Sequence, residues 1–206
     1  RAIIEAEILR EGFAFYGWRQ PPIDTSVLGD KARATLPEIE QVLFRDPRCR
    51  DSEAVERVLY IVRRRIERRA REENLRDLYV CSLSSRDIIY KGLFRAEDID
   101  AFYPDLQSPE FISPFAIFHQ RYSTNTFPEW RLAQPFRMLA HNGEINTIRG
   151  NINWMKSHEV HIAETAFADV EQDVKPVIQS GASDSAALDQ TFEILVRAGR
   201  SAPMTK

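Results

Sequence analysis

Phe136-Arg-Met-Leu-Ala-His141-Asn142-Gly143-Glu-Ile-Asn146 is a short apolar segment that stops abruptly on His-Asn-Gly. A strand ending on Asn-Gly delivers a side-chain amide and an unhindered backbone N–H to one spot beside a sheet edge, because glycine lets another group approach the main chain closely. Asn142 and Gly143 are therefore candidates to hold an oxyanion. The same dipeptide is a favoured tight turn between strands, and taken alone it serves either purpose.

Two further positions add handles of opposite charge. Arg121, in His119-Gln-Arg-Tyr-Ser-Thr124, lies at the end of an otherwise apolar strand. A guanidinium there can clasp a carboxylate through two parallel charge-assisted bonds, each worth about 1.5–3 kcal/mol, in a geometry that lysine lacks. A structural ion pair is the plain alternative. Asp184, in Ser180-Gly-Ala-Ser-Asp184-Ser185, falls where a helix begins. It is either a first-turn acid that favours the helix dipole or a carboxylate available to a substrate ammonium. An arginine for a carboxylate, an aspartate for an ammonium and an Asn-Gly pair for an oxyanion together describe an α-amino acid whose side-chain carbonyl is under attack. Glutamine hydrolysis fits that set.

The elements that must position these residues are mixed helix and strand. Arg1–Arg10 reads as helix from its first residue, with Ile4 and Ile8 one turn apart. Phe13–Trp18 reads as a strand closed by Pro21-Pro22, which cannot donate ladder bonds. Ser52–Asn74 is the clearest helix, with Val55, Val58, Leu59, Val62 and Ile66 on one face. Its arginines, Arg57, Arg63, Arg64, Arg65, Arg68 and Arg69, suit either a phosphate or RNA contact or a solvated face paired with Glu53, Glu56, Glu67, Glu72 and Glu73; the interleaved acids favour the solvated face. Leu78–Leu83 and Asp87–Leu93, joined by Ser84-Ser85-Arg86, form a hairpin pattern, and Phe115–Tyr122 and Phe136–His141 add two strands. Thr147–Glu159 and Ser185–Ala198 read as helices, the second stopping at Gly199.

Bulk properties narrow the class. A chain of 206 residues, 43% apolar, can bury one sizeable core, and one domain is the expectation. A net charge of −3 gives no reason to expect nucleic acid. No run approaches the roughly 20 apolar residues of a membrane span, and no signal peptide precedes the first helix, which predicts a soluble, cytoplasmic protein without a membrane partner. Cys49 lies in a polar loop and Cys81 in an apolar run; they form neither a disulfide framework nor a metal motif. His158-Glu-Val-His161, with His119 and His141, raises a metal hydrolase, but its spacing lacks the HExxH register. The opening in mid-helix and the unmarked end at Ser201–Lys206 predict an internal piece of a longer protein.

The blocks His119–Thr126 (HQRYSTNT), Phe136–Asn151 (FRMLAHNGEINTIRGN) and Ser180–Leu188 (SGASDSAAL) resemble the glutaminase domain in the large subunit of glutamate synthases, class II glutamine amidotransferases of the N-terminal-nucleophile superfamily. Pro22–Gly29 and Cys81–Arg86 look like further segments of that family. The resemblance implies an α+β fold, a four-layer αββα sandwich of two mainly antiparallel sheets. It implies that Arg121 binds the glutamine α-carboxylate, Asp184 its α-ammonium and Asn142 with Gly143 the oxyanion, with Thr124 in the substrate-binding turn. It also implies an N-terminal cysteine as nucleophile, whereas residue 1 is Arg. Residues 1–206 are thus expected to be one partial amidotransferase domain, lacking its first strand and C-terminal part and inert as it stands. The parent would pass ammonia to a distant site where 2-oxoglutarate is aminated with FMN and an iron–sulfur cluster, neither bound by this chain. Its partners would be L-glutamine, L-glutamate and the remaining synthase domains. A non-catalytic amino-acid-binding or interaction module derived from the same fold is the alternative.

Overall fold

The computed structural model describes residues 1–75, 77–121, 127–143 and 145–205. Helix α1 (Ala2–Arg10) leads into strand β1 (Ala14–Arg19), which pairs antiparallel with β2 (Gln41–Arg45). The register slips between Phe15 and Gly17, and Gly17 takes up the irregularity at φ 143°, a conformation that other residues rarely adopt. Between the strands runs the short α2 (Asp30–Ala34). The long α3 (Ser52–Glu72) follows, capped by the Asp51 carboxylate accepting from the Ala54 N–H at 3.0 Å. After α4 (Ile99–Phe102) the remaining helices are α5 (Ile148–Ala166), α6 (Glu171–Val174), α7 (Asp184–Arg197) and α8 (Ala202–Thr205). Gly199, at φ 103°, closes α7 by donating to the Val196 carbonyl at 2.9 Å.

The architecture is therefore mixed helix and strand, with a two-stranded antiparallel sheet among the described residues. No described helix is long and apolar enough to cross a membrane.

Helix α3 is the centre of the packing. Leu59, Val62 and Ile66 bury against Ile3 and Ile8 of α1 and Phe13, while Tyr60 on another face joins Met155, Ile162, Phe167, Val174 and Ile194 from α5 to α7. Covered on both sides, α3 has little face left for water. The expected solvated arginine stripe is corrected accordingly: Arg63, Arg64 and Arg65 are buried. Each is matched by acids, as a buried charge must be. Arg63 meets Glu67 at 2.6 Å and also Glu193, Arg64 meets Glu67 at 3.0 Å, and Arg65 meets Asp173 at 2.7 Å and Glu11 at 2.9 Å. The pairing with Glu67 stands; the exposure does not.

The strands expected at 78–83, 87–93, 115–121 and 136–141 are corrected as well, since among the described residues only β1 and β2 form a ladder. The physical reason is visible in where the N–H groups go. Ile89 donates to Ser82 Oγ (3.4 Å), so a side chain satisfies backbone that a hairpin would have used, and Glu56 holds the connecting turn by accepting from the Ser85 N–H (2.7 Å). Arg137, Met138 and Leu139 all donate to Asp189. Residues 111–118 run exposed, with Phe115, Ile117 and Phe118 open to solvent. Tyr122 lies outside the described residues.

Candidate functional site

Asp184 is the first residue of α7, and Ser183 caps the helix by accepting from the Ala186 N–H at 3.1 Å. With the cap supplied by serine, the aspartate is released for other contacts. Its Oδ1 accepts from the Ser185 N–H at 2.7 Å, and its Oδ2 accepts from the Ile145 N–H at 3.3 Å. That second bond joins two motif blocks 39 residues apart, bringing the His141-Asn142-Gly143 turn to the start of α7.

The turn itself is held from its other side. The Gln134 side chain makes a two-way clip on His141, accepting from its N–H at 2.7 Å and donating to its carbonyl at 3.0 Å. Asn142 and Gly143 follow directly and are exposed. Gly143 lets the chain pass close to the imidazole: a Cβ on residue 143 would stand 2.8 Å from His141 Cε1, so any larger residue would need that ring to shift. The imidazole that crowds it has a buried Nδ1 with no hydrogen-bond partner among the described residues.

Arg121 is exposed, and its backbone N–H donates to His119 Nδ1 at 3.1 Å. Among the described residues no hydrogen bond or ion pair joins its side chain to Asp184, Asn142 or Gly143. The structure thus brings together the oxyanion candidates and the ammonium candidate and leaves the carboxylate candidate on its own segment. Thr124 lies outside the described residues.

A groove of about 570 Å³ opens between α5 and α7 with Asp184 among its lining residues. Ile148, Ile152, Met155, Leu188 and Leu195 make most of it apolar, with the Asp184 carboxylate at its lining. His158, which also lines it, has its ring 6.3 Å from that of His161. Among the described residues no three of the His, Cys, Asp or Glu side chains gather as metal ligands.

Burial pushes the Cys81 thiol up, the opposite of what a nucleophile needs, and its Sγ lies 3.6 Å from the Ile89 carbonyl. Cys49 is exposed, its Sγ 3.9 Å from the Pro47 carbonyl. An iron–sulfur cluster is held by about four ligands, mostly thiolates; two cysteines in unlike surroundings do not fit one.

Two site residues escape a reading by residue type. Gln134 hydrogen-bonds the main chain of His141 and Asp189 that of residues 137–139, the stretch that leads into Asn142-Gly143. A signal for Asp189 exists: it is a carboxylate within the apolar run that follows Asp184, at a helical position with Ala186 and Ala187 buried alongside.

A family model described as class-II glutamine amidotransferases matches residues 1–205. The chain is 58% identical over 206 residues to the NADPH glutamate synthase large chain of Azospirillum brasilense, covering 100% of this chain and 14% of that one. It is 47% identical over 202 residues to the chloroplastic ferredoxin-dependent glutamate synthase of Oryza sativa subsp. japonica, covering 98% of this chain and 12% of the relative. Against the NADPH glutamate synthase large chain of Bacillus subtilis (strain 168) the figures are 44% over 198 residues, 96% of this chain and 13% of the relative. The chain spans between 12% and 14% of the length of these curated relatives.

Proposed function

The chain belongs to the class-II glutamine amidotransferases, and from that premise we propose that residues 1–206 are part of a single glutaminase domain in a glutamate synthase large chain, hydrolysing L-glutamine to L-glutamate and ammonia. The ammonia aminates 2-oxoglutarate at a site in the remaining domains of the parent enzyme, where FMN and an iron–sulfur cluster belong. The finer fold of the complete domain is a four-layer αββα sandwich.

The mechanism assigns each handle a task. Neither Cys49 nor Cys81 suits the attack, so the thiolate comes from another part of the parent. Its sulfur adds to the amide carbon, and the carbonyl electron pair moves onto oxygen. The Asn142 amide and the Gly143 N–H hold that oxyanion. The proton that the thiol gave up passes to the amide nitrogen, so collapse expels ammonia and leaves a thioester, which water cleaves to glutamate and free thiol. Asp184 holds the α-ammonium and Arg121 the α-carboxylate, with Thr124 in the turn beside it. Substrate, carrying both charges, is what draws Arg121 to the other handles.

What carries this reading is the bond between Asp184 Oδ2 and the Ile145 N–H, which ties the ammonium handle to the oxyanion turn. Glutamine hydrolysis by the full-length protein tests it. Asn142→Ala lowers kcat by about 10²- to 10³-fold, and a change below about threefold overturns the assignment. In calorimetry with glutamate, Arg121→Lys weakens binding about tenfold through loss of the bidentate fork; unchanged affinity removes Arg121 from the site.

A further inference from the structure

Helix α7 makes a second attachment to the oxyanion segment, five residues beyond Asp184. Asp189 is 1% exposed, and its carboxylate accepts three backbone N–H groups: Met138 at 2.7 Å and Leu139 at 3.1 Å on Oδ1, and Arg137 at 3.4 Å on Oδ2. With the Gln134 clip on His141 and the Asp184 contact to Ile145, the main chain is pinned at 137–139, at 141 and at 145. Asn142 and Gly143 fall between the pins at 141 and 145. An apolar residue would fill the Asp189 position without desolvating a charge. Burial, with Glu193 on the next turn, pushes the Asp189 carboxyl up to about 6, so the site is an unfavourable one for a carboxylate that contributes packing alone.

On the reading that Asn142 and Gly143 form the oxyanion hole, we propose that Asp189 and Gln134 are positioning residues for the reaction, fixing the main chain that leads into the turn so that both donors meet the oxyanion. Donors of this kind act through preorganisation, and a misplacement of about 1 Å can cost on the order of 100-fold in rate. Neither residue touches substrate. Asp189 sets the path and register of 137–139, and Gln134 sets the plane of the His141 peptide immediately before Asn142.

The test is glutamine hydrolysis by the full-length protein carrying Asp189→Asn or Gln134→Met, each alone and combined with Asn142→Ala, with melting followed for every variant. Asn at 189 removes the charge and turns an N–H towards main-chain donors; Met at 134 keeps the volume without the amide. Each single variant lowers kcat about tenfold while the glutamine KM stays within about twofold. In the Asn142→Ala background the same substitutions cost no more than about threefold, because a donor they aim is already gone. Equal factors in the two backgrounds, or a fall confined to KM, overturn the positioning role. If Asp189→Asn does not fold, Gln134→Met decides alone. If Asn142→Ala itself leaves kcat unchanged, the oxyanion reading fails; if it lowers kcat and the others are additive with it, only the positioning proposal fails.

Discussion

Glu67 on α3 and Asp189 on α7 are both buried carboxylates, and the protein treats them in opposite ways. Glu67 faces guanidiniums: Arg63 at 2.6 Å, Arg64 at 3.0 Å and Arg137 at 3.3 Å, with the Gln179 amide beside them. Burial alone would raise its carboxyl, but the three cations outweigh burial and hold it down at about 2. Asp189 has main-chain N–H groups as its hydrogen-bond donors. There burial and the Glu193 charge prevail over the Met138 N–H, Arg137 and Arg63, and the carboxyl rises to about 6. Three peptide dipoles do not replace three cations. The α3 cluster joins helices through charge, whereas the α7 carboxylate spends stability to direct a stretch of backbone.

The sharpest way to break that contrast is to neutralise each carboxylate. Glu67→Gln leaves Arg63, Arg64 and Arg137 without their shared partner in a buried place, and is expected to cost about 3–5 kcal/mol in denaturant unfolding. A loss under about 1 kcal/mol would show that the cluster is not held by Glu67. Asp189→Asn removes a charge that burial disfavours, so its cost at neutral pH is well below that of Glu67→Gln even though hydrogen bonds are lost.

Titration separates the two next, and the signs are opposite. Glu67 has a folded value of about 2 against the 4.5 of an ordinary glutamate. Its stabilisation, about 3 kcal/mol, is fully present above 4.5 and is lost as pH falls towards 2. Asp189 has a folded value of about 6 against 3.8. The folded state therefore holds a proton that the unfolded state releases, and this contribution, also about 3 kcal/mol, is present below 3.8 and lost as pH rises through about 6. Unfolding free energy measured from pH 2 to 7 should have a shallower acid-side fall in Glu67→Gln, with the remainder left to other lowered carboxylates such as Asp46, and should lose its decline between about 4 and 6 in Asp189→Asn. Matching profiles for the two variants would cancel the distinction.

The same contrast marks what a sequence yields. Helices α1, α3, α5 and α7 and strand β1 follow from apolar spacing and end signals, and they lie within a few residues of where those signals put them; α5 alone runs well past its expected end, to Ala166. β2 offers only five residues between polar stretches and was not legible. The arginines of α3 read as solvated because helical periodicity describes one helix, while burial is decided by what packs on its other faces. The segments 78–93 and 136–141 have strand composition, yet Ser82 and Asp189 take N–H groups that a ladder needs. At the site, the types of Asn142, Gly143 and Asp184 are what marked them as candidates. The clips from Gln134 and Asp189 did not, because a side chain that binds main chain leaves no pattern in its partner's residue type.

The smallest expected effect concerns how the two helices begin. Asp51 caps α3 and Ser183 caps α7 by the same device, each accepting the N–H three residues on, at 3.0 and 3.1 Å. Asp51 is exposed and Ser183 is buried. Water can take over the Ala54 N–H when Asp51 becomes alanine, so Asp51→Ala should cost about 0.5–1 kcal/mol in thermal or urea unfolding. The Ala186 N–H has no such recourse, and Ser183→Ala should cost about 1–2 kcal/mol. Because the Ser183 cap holds the first turn of α7, which begins at Asp184, its loss should also speed hydrogen exchange at the Ile145 amide, which donates to that carboxylate. Asp51→Ala has no route to Ile145. Equal exchange there in both variants would sever the start of α7 from the His141-Asn142-Gly143 turn and leave Ser183 an ordinary helix cap.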